Sequence, residues 1–104
     1  MKLDVSLRKG MTHAAEDART AEEAGFDGIW TTENLSDPFL PLALAAEHTE
    51  RVDLGPSVAI AFARAPMTVA VQANDLHRYS GGRMHLGLGS QIKPHITKRF
   101  SMEW

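Results

Sequence analysis

Four short β-forming segments alternate with three helical ones along the chain, and that alternation restricts the possible folds more than any other feature. Leu3, Val5 and Leu7 fall on one face of a first strand that Gly10 ends. From Thr12 to Ala24, the residues Ala14, Ala15, Ala18 and Ala21 recur at helical spacing, while Glu16, Asp17, Arg19, Glu22 and Glu23 occupy the other side. Thr12 suits the N-cap, and Gly25 followed by Phe26 has the form of a left-handed glycine stop with its apolar follower. Gly28 to Thr32 is rich in β-formers and predicts the second strand. Pro38 or Pro41 opens a second helix running to Thr49. Val52 to Ala61 predicts a third strand, interrupted at Gly55-Pro56. Pro66 starts a third helix, with Val69, Ala70, Val71, Ala73 and Leu76 expected on its buried side, and Ser80-Gly81-Gly82 ends it. Met84 to Gly89 completes the pattern as a fourth strand.

Strands alternating with helices of this length imply right-handed crossovers and a parallel sheet, so the class is α/β. Residues 1–104 are expected to form one domain, because 104 residues cannot supply two independent cores. The periodicity admits either a doubly wound sheet, with helices on both faces, or part of a (β/α)8 barrel, whose inner face is filled by side chains.

Composition narrows the partners. Eleven Lys and Arg against 13 Asp and Glu leave a formal charge of −2, which gives no electrostatic basis for holding nucleic acid. Without Cys there is no disulfide framework, thiolate ligand or thiolate nucleophile. The five His residues, 13, 48, 77, 85 and 95, show no ligand spacing, so no metal site is expected. Asp4 interrupts the N-terminal apolar positions where a secretory signal would need an unbroken run. Val58 to Ala63 is far short of the roughly 20 residues that span a bilayer, and the expectation is a cytoplasmic chain.

Four motifs, taken in order, suggest a family. They are Glu23-Ala24-Gly25-Phe26-Asp27-Gly28-Ile29-Trp30, Leu54-Gly55-Pro56-Ser57-Val58, Arg64-Ala65-Pro66, and Ser80-Gly81-Gly82-Arg83-Met84-His85-Leu86-Gly87-Leu88-Gly89. Their order and spacing over essentially the whole chain resemble the bacterial-luciferase-like oxidoreductases, and most closely the branch that uses the deazaflavin coenzyme F420. The resemblance implies a TIM-type barrel, of which this chain would hold strands one to four and helices one to three. That is less than half of a barrel of about 250 residues.

In such a barrel the chemistry sits at the C-terminal ends of the strands. The resemblance places Glu33 and Asn34 where an acidic residue and a neighbouring histidine approach the deazaflavin ring in sugar-phosphate dehydrogenases, and so implies a catalytic role for both and a cofactor contact for Glu33. Asn34 cannot exchange a proton near neutral pH, which disfavours sugar-phosphate dehydrogenation. Ser57-Val58 matches the position of a non-proline cis peptide that backs the ring. Gly89 and Ser90 match a strand end that touches the cofactor. Lys93, Lys98, Arg99 and Arg64 are basic residues that could bind the acidic tail of F420 or a phosphate, though scattered basic residues are more often a solvated face. His95 is expected in a surface loop and Trp30 in the core.

The implied function is an F420-dependent oxidoreductase moving a hydride between the cofactor and a small organic substrate, with FMN as the alternative cofactor and an FMN-dependent monooxygenase as the neighbouring activity. A different reading is a barrel fragment that acts through assembly. Four parallel strands without closure expose an inner face and two edges, so a homo-oligomer or a second chain completing the barrel is expected.

Overall fold

A computed structural model describes residues 1–104. Two of its helices end where the sequence places paired stop signals. In α1 (Ala14–Glu23), Gly25 adopts φ +90°, and the N–H groups of Gly25 and Phe26 donate back to Glu22 and Ala21 at 3.1 Å each. In α3 (Pro66–Tyr79), Gly81 adopts φ +67°, and Gly81 and Gly82 donate to Arg78 and His77 at 3.1 and 2.8 Å. Both are Schellman closures, which satisfy carbonyls that a helix end otherwise leaves open. At the other end of α1 the N-cap is His13, without a side-chain hydrogen bond, so Thr12 does not cap it.

Strands β1 (Asp4–Ser6), β2 (Gly28–Thr31) and β3 (Asp53–Pro56) form a parallel sheet in that order, with Val5 opposite Ile29 and Ile29 opposite Leu54. The predicted third strand is two strands. Its second half, β4 (Ala59–Ile60), follows a cis peptide bond between Ser57 and Val58 and pairs in parallel with β5 (Leu88–Gly89). The predicted fourth strand is likewise reduced to β5 and a single parallel bridge between Leu54 and Met84. Gly55 explains how the chains come so close, because a Cβ there would collide with the His85 carbonyl and meet the Trp30 ring at 2.9 Å.

Helix α2 (Leu40–Glu47) begins one residue before Pro41, and Asp37 accepts hydrogen bonds from the N–H groups of Phe39 and Leu40 at 2.8 and 2.7 Å. A fourth helix, α4 (Lys93–Arg99), replaces the loop expected around His95; Pro94 sits in its first turn and Ile96 is buried. Helix α3 buries only Val69: Ala70 and Val71 are exposed, while Ala73 and Leu76 are half-buried.

The core lies between the sheet and the helices. Ile29, Leu54 and Met84 meet Ala18, Ala21, Leu42, Ala45, Ala46 and Val69, and the alanines let the helices approach closely. Arg83 ties this layer together through all five guanidinium N–H groups. They donate to the carbonyls of Ser80, Val52, Ala46 and Thr49 and to the Thr49 hydroxyl, at 2.7 to 3.1 Å.

The opposite face of the sheet is polar. Asp4, Ser6, Trp30, Asp53 and His85 alternate with the buried positions, and Trp30 is half-buried rather than core. Its indole N–H donates to Asp4 at 2.9 Å, its ring centre lies 6.2 Å from that of His85, and His85 Nε2 is 3.4 Å from Asp53. No helix is long and apolar enough to cross a membrane.

Candidate functional site

The carboxyl ends of the strands bring the residues named from the sequence into one region. Thr31 at the end of β2 accepts from the Ser57 N–H at 2.7 Å, so the Ser57–Val58 segment is hung from β2. Two residues on, the Ile60 N–H donates to Glu33 at 2.6 Å. Ile60 also lies opposite Gly89 across the β4–β5 pair. The loop after β2, the segment after β3 and the end of β5 thus share one set of hydrogen bonds.

Val58 is half-buried, and its isopropyl group covers the α-carbons of the last strand. A Cβ at Gly89 would overlap Val58 Cγ2, and one at Gly87 would overlap the Pro56 carbonyl. Only glycines permit this approach. The result is a surface of one aliphatic side chain over bare backbone, with the exposed residues Ser57 and Ser90 at its margin.

Glu33 stands at one side of this surface but is not a free carboxylate. Its side chain is only 8% exposed, and Arg64 Nη2 donates to Oε1 while the Ile60 N–H takes Oε2. Asn34 turns its amide oxygen back to the N–H of Leu35. A cavity of about 440 Å³ opens beside the pair, lined by Asn34, Ser36, Asp37, Arg99 and Phe100 among others. Of the four basic residues noted in the sequence, Arg64 is therefore engaged by Glu33 and Arg99 borders the cavity. Lys93 and Lys98 are exposed on α4.

Two further carboxylates, both on α1, tie that helix to neighbouring segments. Asp17 is held below its usual range by side-chain hydrogen bonds from Arg8, which outweigh its desolvation. Glu22 is pushed up by burial, but the N–H groups of Arg51, Val52 and Glu50 together bring it below the usual carboxylate range. No cluster of three or more His, Cys, Asp or Glu could hold a metal ion. Sequence reasoning missed the Glu33–Arg64 pair; its signal was the Arg64-Ala65-Pro66 motif, which carried no indication of a partner 31 residues away.

Comparison with known proteins gives this geometry a setting. The sequence profile of the luciferase-like monooxygenases matches residues 4–104. An uncharacterised protein of Mycobacterium tuberculosis is 58% identical over 104 residues, which is 100% of this chain and 31% of that protein. A putative coenzyme F420-dependent oxidoreductase of the same organism is 47% identical over 76 residues, covering 72% of this chain and 22% of the relative. Among solved structures, the F420-dependent tetrahydromethanopterin reductase of Methanopyrus kandleri superposes with a TM-score of 0.81 at 29% identity, over 94% of this chain and 29% of that one. The oxygenating constituent of a Pseudomonas putida 3,6-diketocamphane monooxygenase, solved with FMN, reaches 0.84 at 21% identity, over 99% and 33% of the two chains. The chain thus spans about a third or less of the length of each of these proteins.

Proposed function

The chain belongs to the luciferase-like monooxygenase family, and from that premise we propose that it forms the cofactor-backing part of an F420-dependent oxidoreductase. The observation that carries the reading is the meeting of Glu33, Ser57, Val58, Gly89 and Ser90 at the carboxyl ends of parallel strands, where barrels of this kind place their chemistry.

The residues present fit a flat, fused-ring cofactor. Val58 over Gly87 and Gly89 offers an apolar, side-chain-poor surface to a ring face, while Ser57, Ser90 and Asn34 offer hydroxyl and amide groups at a ring edge. The cofactor, when bound, supplies hydride transfer; the chain supplies position and a polar margin. Asn34 can orient a carbonyl of the substrate but carries no proton to give, and the reaction assigned here is correspondingly hydride transfer without an Asn34 proton step.

F420 is favoured over FMN because the 47% identical relative is a putative F420-dependent oxidoreductase and the 29% identical structure an F420-dependent reductase, whereas the FMN-bound neighbour, at 21% identity, shows the fold alone. Titration of the purified chain with F420 and with FMN, followed by cofactor fluorescence, tests this. Saturable binding of F420 at micromolar concentration, tighter than FMN, is expected. Tighter FMN binding moves the assignment to an FMN-dependent monooxygenase, and no binding of either up to high micromolar overturns it. Glu33→Ala weakens the binding; an unchanged affinity removes Glu33 from the site.

Association completes the proposal. The outer edge of β5 is unpaired, and a groove of about 300 Å³ beside it is lined by Pro66, Val69, Ala70, Leu86 and Leu88 with Ala61. An exposed strand edge flanked by apolar side chains favours pairing with further polypeptide. Sedimentation velocity at micromolar concentration is expected to show a homo-oligomer, and a clean monomer overturns self-association.

A further inference from the structure

Glu33 and Arg64 come from different β-α units, 31 residues apart, and meet at the edge of the strand-end surface. Arg64 follows a short 3-10 turn, Ala61–Ala63, that leaves β4 directly after Ile60. Its side chain is 16% exposed, with the guanidinium carbon 5.0 Å from the centre of the Phe39 ring and Nη2 3.8 Å from Asp37. Arg64 Nε is buried and makes no hydrogen bond. A planar cation stacked on an aromatic face and flanked by two carboxylates has little freedom, and it fixes the carboxylate it grips.

That carboxylate is fixed from the other side as well. The Ile60 N–H, donating at 2.6 Å, belongs to the strand that follows Ser57–Val58 and pairs with Gly89. Both Glu33 oxygens are therefore occupied by groups from the segment that carries the apolar surface. A Glu33 side chain without Arg64 would be free to turn toward solvent, and the tie between the β2 loop and β4 would depend on one backbone N–H.

We infer that Arg64 is the positioning residue of this site: it draws the Glu33 carboxylate off the open surface, seats it against the Ile60 N–H and thereby sets the spacing between the β2 loop and the Ser57–Val58 segment. Glu33 then acts on a bound ring through the loop spacing it fixes, not as a mobile side chain in contact with it. The positioning stands on geometry alone, while its effect on cofactor affinity rests on the reading of the previous subsection.

The test uses the 15N-labelled 104-residue chain and the variants Arg64→Met, Arg64→Lys and Glu33→Gln. Without cofactor, the Ile60 amide proton is expected downfield in the wild type, as for a short bond to a carboxylate. It moves upfield in Arg64→Met and stays near its original position in Arg64→Lys, while the Ser57 amide, bound to the Thr31 carbonyl, does not move. An Ile60 resonance unchanged in Arg64→Met, or Ile60 and Ser57 shifting together, overturns the inference. Glu33→Gln gives the Ile60 position expected without a carboxylate acceptor; if Arg64→Met does not fold, Arg64→Gln takes its place, and an Ile60 resonance moved toward the Glu33→Gln position supports the inference while an unchanged one overturns it. In the second arm, F420 affinity falls about tenfold in Arg64→Met as the Glu33 carboxylate loses its fixed place, and largely recovers in Arg64→Lys. Unchanged affinity in Arg64→Met, against a wild type that binds, overturns the functional part. A wild type that binds neither F420 nor FMN overturns the cofactor reading and leaves the Ile60 measurement to judge the positioning.

Discussion

Val58 lies over Gly89 with its Cβ 3.3 Å from where a Gly89 Cβ would stand, and closer still through Cγ2. The contact joins the segment after β3 to the last strand, so the flatness of the candidate cofactor surface depends on a missing side chain. Gly89→Ala is expected to lower stability by about 1–3 kcal/mol through overpacking. The double variant Gly89→Ala/Val58→Ala should recover much of it, since the smaller residue makes room. Chemical denaturation of the two variants checks this, and equal losses in both would mean that the collision is relieved elsewhere.

Arg83 holds the ends of α2 and α3 and the entry to β3 by five hydrogen bonds. Lys carries three donors on a flexible stem and cannot reproduce the planar fork. Arg83→Lys should therefore cost about 2–4 kcal/mol, because carbonyls of Ala46, Thr49 and Val52 lose their donors. Thermal unfolding should show this loss with the cofactor surface intact, separating Arg83 from the residues at the strand ends.

Glu22 gives the fold a pH dependence. Three backbone donors, from Glu50, Arg51 and Val52, hold its carboxylate and lower its pKa in the folded chain despite burial. A folded pKa below the unfolded value adds stability that is fully present above the unfolded value, near pH 4.3, and lost as pH falls through the folded one. Glu22→Gln should lower stability at pH 7 and flatten the decline expected of the wild type below about pH 4.3. Asp17, held low by Arg8, retains a smaller decline in that variant. Denaturation midpoints between pH 3 and 7 measure both, and parallel curves for wild type and Glu22→Gln would remove Glu22 as a source.

Trp30 and Asp4 make the firmest polar contact on the inner face, at 2.9 Å. Trp30→Phe keeps the ring beside His85 and removes the indole N–H, so the expected loss is about 0.5–1.5 kcal/mol. Asp4→Ala, which removes the acceptor, should give a comparable loss, and the double variant less than the sum, which a double-mutant cycle reads directly.

The features that could be read from the sequence are those that depend on neighbours along the chain. Gly25-Phe26 and Gly81-Gly82 announce helix ends because a left-handed residue and its following N–H close the helix locally. The parallel order of the strands follows from the alternation, since the crossover geometry leaves few choices. The division of the third strand at Ser57–Val58 could be anticipated only through resemblance, because Gly55-Pro56 gives no sign of where pairing changes from β2 to β5. Helix α4 leaves little trace in the sequence beyond Pro94 in its first turn, since seven residues with a single buried Ile96 show no apolar period. Val71 was expected inside by spacing, yet α3 packs only along the stripe through Val69. Glu33 could be placed at the strand ends by resemblance, but its grip by Arg64 depends on two loops meeting in space. Spacing along the chain carries no record of that meeting.

The polar inner face alters what closing such a barrel requires. A sheet that showed water a row of leucines on that side would be driven to cover it at once. Trp30 instead donates to Asp4, its ring lies beside His85, and His85 reaches Asp53, so an open arc of strands can present this face to water. Whatever then closes over them must bring donors for two carboxylates, since a charge removed from water without a partner is costly. A cover of matching polarity would therefore suit this lining better than a purely apolar one.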